Sequence, residues 1–478
     1  MRLEVARSAG WTLIEASSAQ TLLLVIFLIL TRLLTPADYG LMALATTVLS
    51  VPQFILSNGI IPVIIHRESL SDDDLSTAFW SSLGIGAALT VLVVLCAEPI
   101  AWLLRNPGLT PVLRWTAIPL VFMAIGNVPS ALYQRRFQYG VFAIRSLVSF
   151  FFGGVVGIVM ALHGAGVWSL VGNLVVQNVV SGTILWPGLG WYPRFLFNRA
   201  SFIEMRDNIG HTVAGNFLAS VTTRVDMLII GAVDPALLGY YYFGQRLLLT
   251  ISVGTYVPIG SILVPVLSRM RDDIVGLRDA FIFMTWTAQV LWMPIVAGLG
   301  ATASIMVPNV FGGNWTAAVP LLQIISFTAV TACLYQFTYS VLLTTDRASL
   351  YPRLTMLQLI IVVVLLVPAT HFGLAAIGWA YVAASLLTAL THLVVVRGAL
   401  CMSLCELIIR LSSVVVATGA MVLIVLWLGH QMAGMSPWII LPGQIVLGAL
   451  VYLGVLFLVA RSDTNRLMTT VFDLARRS

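Results

Sequence analysis

Long apolar runs separated by short polar connections follow one another along this chain from Trp11 to Ala460. An α-helix rises about 1.5 Å per residue, so about twenty apolar residues are enough to cross a hydrocarbon core of about 30 Å. The pattern therefore predicts an all-α polytopic membrane protein with about fourteen transmembrane helices. Their predicted ranges are 9–34, 40–65, 78–104, 111–133, 143–163, 165–187, 208–232, 235–266, 278–307, 315–343, 350–371, 373–396, 407–429 and 438–460.

The composition agrees with this pattern. Of the 478 residues, 59% are hydrophobic and only 9% are charged, which is too little polar surface for a water-soluble protein of this size. Because the polar connections are short, they leave no room for a catalytic domain outside the membrane. We therefore expect the function to reside within the helices.

The arginines are distributed unevenly between the two ends of the predicted helices, and the chain has no lysine. If the N-terminus is cytoplasmic, twenty of the 25 arginines, Arg145 among them, lie in or beside cytoplasmic connections. Only Arg32, Arg105 and Arg114 lie on the other side. Since cytoplasmic connections retain Lys and Arg, both termini are predicted to be cytoplasmic. The net charge of +6 then reflects topology, and we expect no nucleic-acid partner.

Several classes of chemistry are disfavoured by the residues that are missing. A P-loop needs a lysine at the phosphates, and a pyridoxal phosphate enzyme needs a lysine for its Schiff base. The four cysteines form no paired CxxC motif. We accordingly predict no catalytic residues, no metal site and no cofactor.

An internal repeat is suggested by matching features in two parts of the chain. Trp168 lies 32 residues after Arg136, and Trp379 lies 32 residues after Arg347. Two halves that begin on the same side of the membrane form a parallel repeat, related by a pseudo-two-fold axis along the membrane normal. The predicted architecture is two six-helix lobes followed by two C-terminal helices. The corresponding ranges are 1–200, 201–400 and 401–478.

The starts of three predicted helices carry capping residues. Thr35 and Pro36 precede the second helix, and Asp234 and Pro235 precede the eighth in the same way. Ser71, followed by three aspartates, is predicted to cap the third helix.

Polar residues inside the predicted spans are few, and they concentrate in the seventh helix. Asn216, Ser220 and Arg224 repeat every four residues, which puts them on one helix face. Arg246, in the eighth helix, is predicted to lie at a similar depth. A guanidinium group is permanently charged and matches phosphate oxygens in a bidentate way, so two buried arginines suit a pyrophosphate group. The alternative is that each arginine pairs with a carboxylate and joins two helices.

Two carboxylates also fall within predicted spans. Asp226 is two residues from Arg224 and so lies on a different face of the helix, which favours a structural or gating role over contact with a ligand. Glu15, in the first helix, could carry a coupling proton or balance an arginine, and the sequence leaves both readings open.

Five runs of residues together resemble the Wzx-like oligosaccharide-lipid flippases, most closely the colanic-acid-exporter-type branch of the multidrug/oligosaccharidyl-lipid/polysaccharide exporter superfamily. The runs are Arg32 to Gly40, Leu132 to Phe137, Gly166 to Val171, Arg224 to Gly231 and Gly313 to Pro320. The resemblance implies a V-shaped bundle of two six-helix lobes plus two helices, working by alternating access in a bacterial inner membrane. It further implies a cationic lumen, onto which Arg224 and Arg246 map.

The substrate implied by this resemblance is an undecaprenyl-pyrophosphate-linked oligosaccharide repeat unit for polysaccharide biosynthesis. The implied partners are the lipid bilayer and polysaccharide polymerase or export machinery, with proton or sodium coupling. One alternative is an ion-coupled exporter of small drugs from the same superfamily, although organic cations would favour an acidic cavity. The other is a membrane glycosyltransferase or polymerase, which would need catalytic carboxylates or large outer loops.

Overall fold

The structure is a computed structural model. It describes residues 2–67, 70–199, 202–203, 222, 224–432, 434–461 and 463–464, with the side chains of 2–17 and 66 left out. Within these ranges all regular secondary structure is helical. The chain divides into two compact units, unit 1 from Met1 to Tyr242 and unit 2 from Phe243 to Ser478.

Unit 1 contains nine described helices and the start of a tenth. These are α1 (Arg2–Leu33), α2 (Pro36–Gly59), α3 (Ile61–His66), α4 (Asp72–Leu103), α5 (Leu109–Ala117), α6 (Pro119–Arg135), α7 (Gly140–Leu162), α8 (Val167–Thr183), α9 (Val225–Gly231) and α10 (Pro235–Gly254). Tyr242, the last residue of unit 1, lies within α10.

The described helices of unit 2 follow the end of α10. They are α11 (Tyr256–Ser268), α12 (Ile274–Met306), α13 (Val319–Ile325), α14 (Ala332–Gln336), α15 (Thr338–Thr344), α16 (Tyr351–Ala369), α17 (Leu374–Leu400), α18 (Leu404–Gln431) and α19 (Pro437–Val459). A π-helix (Val307–Phe311) and 3₁₀-helices (Gly313–Ala318, Ser326–Val330, Ala348–Leu350 and Thr370–Phe372) lie between them.

The predicted class, a polytopic α-helical membrane protein, is confirmed. In the described residues, nine helices are long and apolar enough to cross a membrane, and two bent helix pairs raise the number to eleven. In the remaining three predicted spans, the helical stretches whose side chains are described have fewer than 18 residues. They are Ser18–Leu33, Val167–Thr183 and Val225–Gly231, and the backbone of the first continues back to Arg2 in α1. The total of fourteen therefore stays a prediction.

Two spans that were predicted as continuous helices are broken. The axes of α10 and α11 differ by 47°, with the break at Thr255. Pro258 explains the position of this break, because a proline ring clashes with the carbonyl group four residues earlier, which here is that of Gly254.

The second break, of 51°, lies between the helices at Gly313–Val330 and Ala332–Thr344. Three hydroxyl groups donate hydrogen bonds to the carbonyl oxygen three residues before them, and such back-bonding bends helices. They are Ser326 to Gln323 (2.6 Å), Thr328 to Ile325 (2.6 Å) and Thr331 to Thr328 (3.3 Å).

The predicted helix starts are confirmed by their hydrogen bonds. Thr35 and Asp38 form a reciprocal capping box at α2, and Ser71 and Asp74 form another at α4. At the start of α10, the carboxylate of Asp234 accepts a hydrogen bond of 2.7 Å from the backbone N–H of Ala236.

Candidate functional site

Arg224 stands immediately before α9. Its backbone is not helical (φ −132°, ψ −3°), so the prediction of one helix running through Arg224 is wrong at this point. The Arg224 side chain is half-buried, and its Nη1 atom lies 3.8 Å from the sulfur atom of Met227. Thr47 of α2 contacts the same sulfur at 3.5 Å, so Arg224 lies beside α2.

The carboxylate of Asp226 is held by other groups within unit 1. Its Oδ2 accepts a hydrogen bond of 2.6 Å from the hydroxyl group of Tyr241, and its Oδ1 accepts one of 2.8 Å from the backbone N–H of Met227. Tyr241 is fully buried in α10. Asp226 thus joins α9 to α10 and does not form a close ion pair with Arg224.

We predict that Tyr241→Phe lowers the stability of the protein. The substitution removes one hydrogen bond from a half-buried carboxylate, and leaving such a group unpaired costs about 1–3 kcal/mol. The apparent melting temperature in detergent should fall by at least about 2 °C. Tyr192→Phe is the matched control, because the Tyr192 side chain is 67% exposed. Equal melting temperatures for the two variants would contradict a stabilising role for this hydrogen bond.

Arg246 lies in the part of α10 that belongs to unit 2, and its side chain is half-buried. This part of the helix is anchored by the buried Phe243, whose ring stacks on Trp315 at 4.7 Å and meets Phe311 edge-on at 4.9 Å. Within the described residues of unit 2, the ion pairs involve arginines other than Arg246. They join Arg271 to Asp346, Arg278 to Asp279 and Glu406, and Arg410 to Asp463.

Three further predicted site residues lie wholly or partly outside the described part of the chain. Asn216 and Ser220 lie outside the described residues. The backbone of Glu15 belongs to α1, but its side chain is not described. Their roles stay predictions.

The sequence analysis missed a close contact between two helix starts in unit 1. A Cβ atom added to Gly40 of α2 would overlap the carbonyl oxygen of Pro235 and lie 2.9 Å from the nitrogen of Gly239. Conversely, a Cβ atom added to Gly239 of α10 would overlap the carbonyl oxygen of Pro36. The two segments, Pro36–Gly40 and Pro235–Gly239, therefore touch backbone to backbone. We call this contact the glycine crossing.

The contact is reciprocal, which is the arrangement that a two-fold axis between equivalent helices produces. The sequence carried a signal for it, since a glycine follows each proline by four residues. Tyr39 and Tyr242 pack alongside, with ring centroids 6.4 Å apart. The glycine crossing thus joins the first turns of α2 and α10.

His392 was also missed by the sequence analysis. It is 3% exposed in α17, and its ring lies 6.0 Å from that of Tyr335. A single histidine in an apolar helix has no spacing pattern that would mark it. Among the described residues, no group of three or more His, Cys, Asp or Glu side chains could hold a metal ion.

Comparisons with solved structures agree with the helical architecture. A structure of the lipid II flippase MurJ, in an inward closed conformation, superposes with a TM-score of 0.72 at 13% identity and covers 94% of this chain and 98% of MurJ. An inward-facing multidrug resistance MATE family transporter of the MOP superfamily gives a TM-score of 0.65 at 14% identity, with coverage of 81% and 98%. At these identities the likeness establishes the fold.

Comparisons of sequence give more similar relatives. The succinoglycan biosynthesis transport protein ExoT of Rhizobium meliloti (strain 1021) is 26% identical over 327 residues, which are 67% of this chain and 65% of ExoT. The teichuronic acid biosynthesis protein TuaB of Bacillus subtilis (strain 168) is 23% identical over 355 residues, 73% of this chain and 72% of TuaB. The chain thus spans just under two thirds of ExoT and somewhat more of TuaB.

A third relative is the lipopolysaccharide biosynthesis protein WzxC of Escherichia coli (strain K12), which is 21% identical over 332 residues, 68% of this chain and 67% of WzxC. The resemblance inferred from the five sequence runs is confirmed at the level of the family. The family described as polysaccharide biosynthesis protein matches residues 29–320, more than half of the chain. This multi-pass membrane protein therefore belongs to the polysaccharide biosynthesis protein family.

Proposed function

We propose that this protein flips a polyprenyl-pyrophosphate-linked oligosaccharide from the cytoplasmic to the periplasmic leaflet of a bacterial inner membrane. The observation that carries the proposal is the family match over residues 29–320, with relatives named for succinoglycan transport and teichuronic acid biosynthesis. A fold shared with a lipid II flippase is consistent with such a substrate. The oligosaccharide serves polysaccharide biosynthesis.

The phosphates are bound by permanently charged arginines. Arg224 suits this role because the nearby carboxylate of Asp226 is already engaged by Tyr241 and by the backbone of Met227. Arg246 is the second phosphate ligand, and Asn216 and Ser220 contact the glycan. Binding energy that differs between two conformations is what allows a ligand to shift their equilibrium.

Alternating access requires that the path be closed on one side at a time. The glycine crossing is the closure on the side towards which transport proceeds, because α2 begins on the membrane side opposite to the N-terminus. Asp226 holds α9 against the first turns of α10 and acts as a structural partner of this closure. Glu15 is the proposed carrier of a coupling proton.

The remaining features of the proposal concern topology and partners. Both termini are cytoplasmic, the lobes comprise 1–200 and 201–400, and the last two helices lie in 401–478. Transport is coupled to protons or sodium ions, and the product passes to polysaccharide polymerase or export machinery. The bundle itself carries out no covalent chemistry.

The second candidate is an ion-coupled exporter of small molecules, which the fold shared with a MATE family transporter favours. Organic cations would need acidic groups in the binding cavity. Here the predicted intramembrane charges include two arginines, and the carboxylate of Asp226 is bound to Tyr241. The flippase therefore fits the charges of the chain better.

The proposal is tested by measuring the polyprenyl-linked oligosaccharides in cells that lack this protein. We expect the lipid-linked repeat unit to accumulate in the inner leaflet of deletion cells and to return to its normal level when the wild-type gene is restored. Lipid extraction with mass spectrometry, combined with a leaflet-selective glycan probe, measures this. A deletion strain without accumulation but with increased drug susceptibility would favour the exporter.

A further inference from the structure

Unit 1 contains a cavity of about 260 Å³ between α2, α6, α7 and α8. It differs from its apolar surroundings because half of its lining residues carry polar side chains. These are Ser57, Asn127, Ser130, Arg145, Asn178 and Ser181. The sequence analysis placed Arg145 beside a cytoplasmic connection, near the start of the predicted span 143–163, and the structure has it in the second turn of α7.

Two glycines shape one wall of this cavity, which we call the Arg145 cavity. A Cβ atom added to Gly126 of α6 would lie 3.3 Å from the Cα atom of Gly182 of α8, and one added to Gly182 would overlap the carbonyl oxygen of Phe122. The helices α6 and α8 therefore touch backbone to backbone, with no side chain between them. The polar side chains on either side of this contact line the cavity.

The polar groups are oriented by the protein itself. The guanidinium carbon of Arg145 lies 4.9 Å from the centroid of the Phe142 ring, an arrangement typical of a cation–π interaction. Asn127 uses its amide nitrogen to donate to the carbonyl oxygen of Leu56 and to the hydroxyl group of Ser82, both at 3.0 Å. Among the hydrogen bonds of the described residues none involves its amide oxygen, which can therefore accept a hydrogen bond from a hydroxyl group of a ligand.

The charge and size of the cavity indicate which ligand it takes. Its lining includes the guanidinium group of Arg145, which is permanently charged and matches the geometry of phosphate oxygens. Asparagine and serine side chains bind hydroxyl groups. The volume is close to the lower limit for small-molecule pockets, roughly 300 Å³, which is enough for one phosphorylated sugar and too small for a whole oligosaccharide.

We propose that the Arg145 cavity is the initial binding subsite for a phosphate and the adjoining sugar of the lipid-linked oligosaccharide. The inference rests on the flippase function proposed above. The position of the cavity also agrees with this role. Ser57, in its lining, follows Gly40 in α2 by 17 residues, which is about 25 Å along a helix. The cavity therefore lies at the end of α2 away from the glycine crossing, on the side from which transport starts.

The test measures binding of two probes to the purified full-length protein by native mass spectrometry. One probe is undecaprenyl-pyrophosphoryl N-acetylglucosamine, and the other is phosphatidylglycerol, which also combines a phosphate with hydroxyl groups. Arg145→Gln should weaken binding of the glycolipid at least about tenfold, because a hydrogen bond to a charged group is lost. Arg145→Lys should retain most of the affinity.

Two further variants complete the design. Ser181→Leu fills the cavity without changing its charge and should weaken binding of the glycolipid to a similar extent. Arg353→Gln is the matched control, since Arg353 also lies near the start of a spanning helix but is exposed. It should bind the glycolipid like the wild type.

The outcomes separate the two proposals. Unchanged glycolipid binding by both Arg145→Gln and Ser181→Leu would overturn the subsite, while accumulation in deletion cells would still support the flippase. An equal loss of phosphatidylglycerol binding would assign the cavity to a bilayer phospholipid and so overturn its role for substrate. A wild-type protein that neither binds the glycolipid nor prevents its accumulation would overturn both proposals.

Discussion

Alanine at Gly40 or at Gly239 is expected to abolish transport while the protein still folds and inserts. Each added Cβ atom would overlap a backbone carbonyl oxygen in the glycine crossing, and backbone cannot move aside as a flexible side chain can. Overpacking of this kind costs about 1–3 kcal/mol or more. A cost of about 3 kcal/mol lowers the population of the crossed conformation about a hundredfold. Export of the lipid-linked oligosaccharide in complemented deletion cells measures the effect.

The controls are alanine substitutions at Gly84 and Gly398, where an added Cβ atom meets no atom within 4 Å. These variants should transport normally. A cysteine at Leu44, which is fully buried, reports the conformation directly. A membrane-impermeant thiol reagent should label it faster in the Gly239→Ala protein than in the wild type. Normal export by Gly239→Ala would show that the glycine crossing is not part of the transport cycle.

Arg224→Ala should lower export by about 10- to 100-fold, since a hydrogen bond to a charged group contributes about 1.5–3 kcal/mol. The loss follows from the proposal that Arg224 binds a phosphate group. Its carboxylate neighbour Asp226 already accepts hydrogen bonds from Tyr241 and Met227. The folded protein should therefore persist at its normal level. Arg224→Lys, which keeps the charge but loses the bidentate geometry, should show an intermediate rate.

Arg114→Ala is the control for this series. Arg114 pairs with Glu98 at 3.1 Å, but both side chains are largely exposed, and exposed ion pairs contribute little. Export and protein level should both remain unchanged. The role of Arg224 would be refuted if Arg224→Ala cells exported as well as Arg114→Ala cells at equal protein levels.

The positions of most helices could be predicted because each depends on local properties of the chain. A run of apolar residues marks a span wherever it folds, and the starts of α2 and α4 are set by capping residues three positions apart. The predicted range 143–163 and the observed helix Gly140–Leu162 agree closely for this reason. The break at Thr255 was missed, although Pro258 marks it locally.

The candidate site was less predictable. The sequence singled out Arg224 and Asp226 because charges are costly in a membrane. It could not show that the partner of Asp226 is Tyr241, fifteen residues away on the next helix, because that pairing depends on how α9 packs against α10. The Arg145 cavity was missed for the same reason, since its polar residues come from four separate helices.

By itself the sequence determined that this chain is an α-helical membrane protein, because a backbone in lipid must satisfy its hydrogen bonds within each segment and hydropathy then suffices to locate the helices. It also indicated the family, through five runs of residues that resemble it, and the match over residues 29–320 confirmed this. Only the tertiary structure decided which glycines allow two backbones to touch and which polar groups meet in one cavity. Such contacts join residues far apart in the chain, as Gly40 and Gly239 are, and no local pattern encodes their distance.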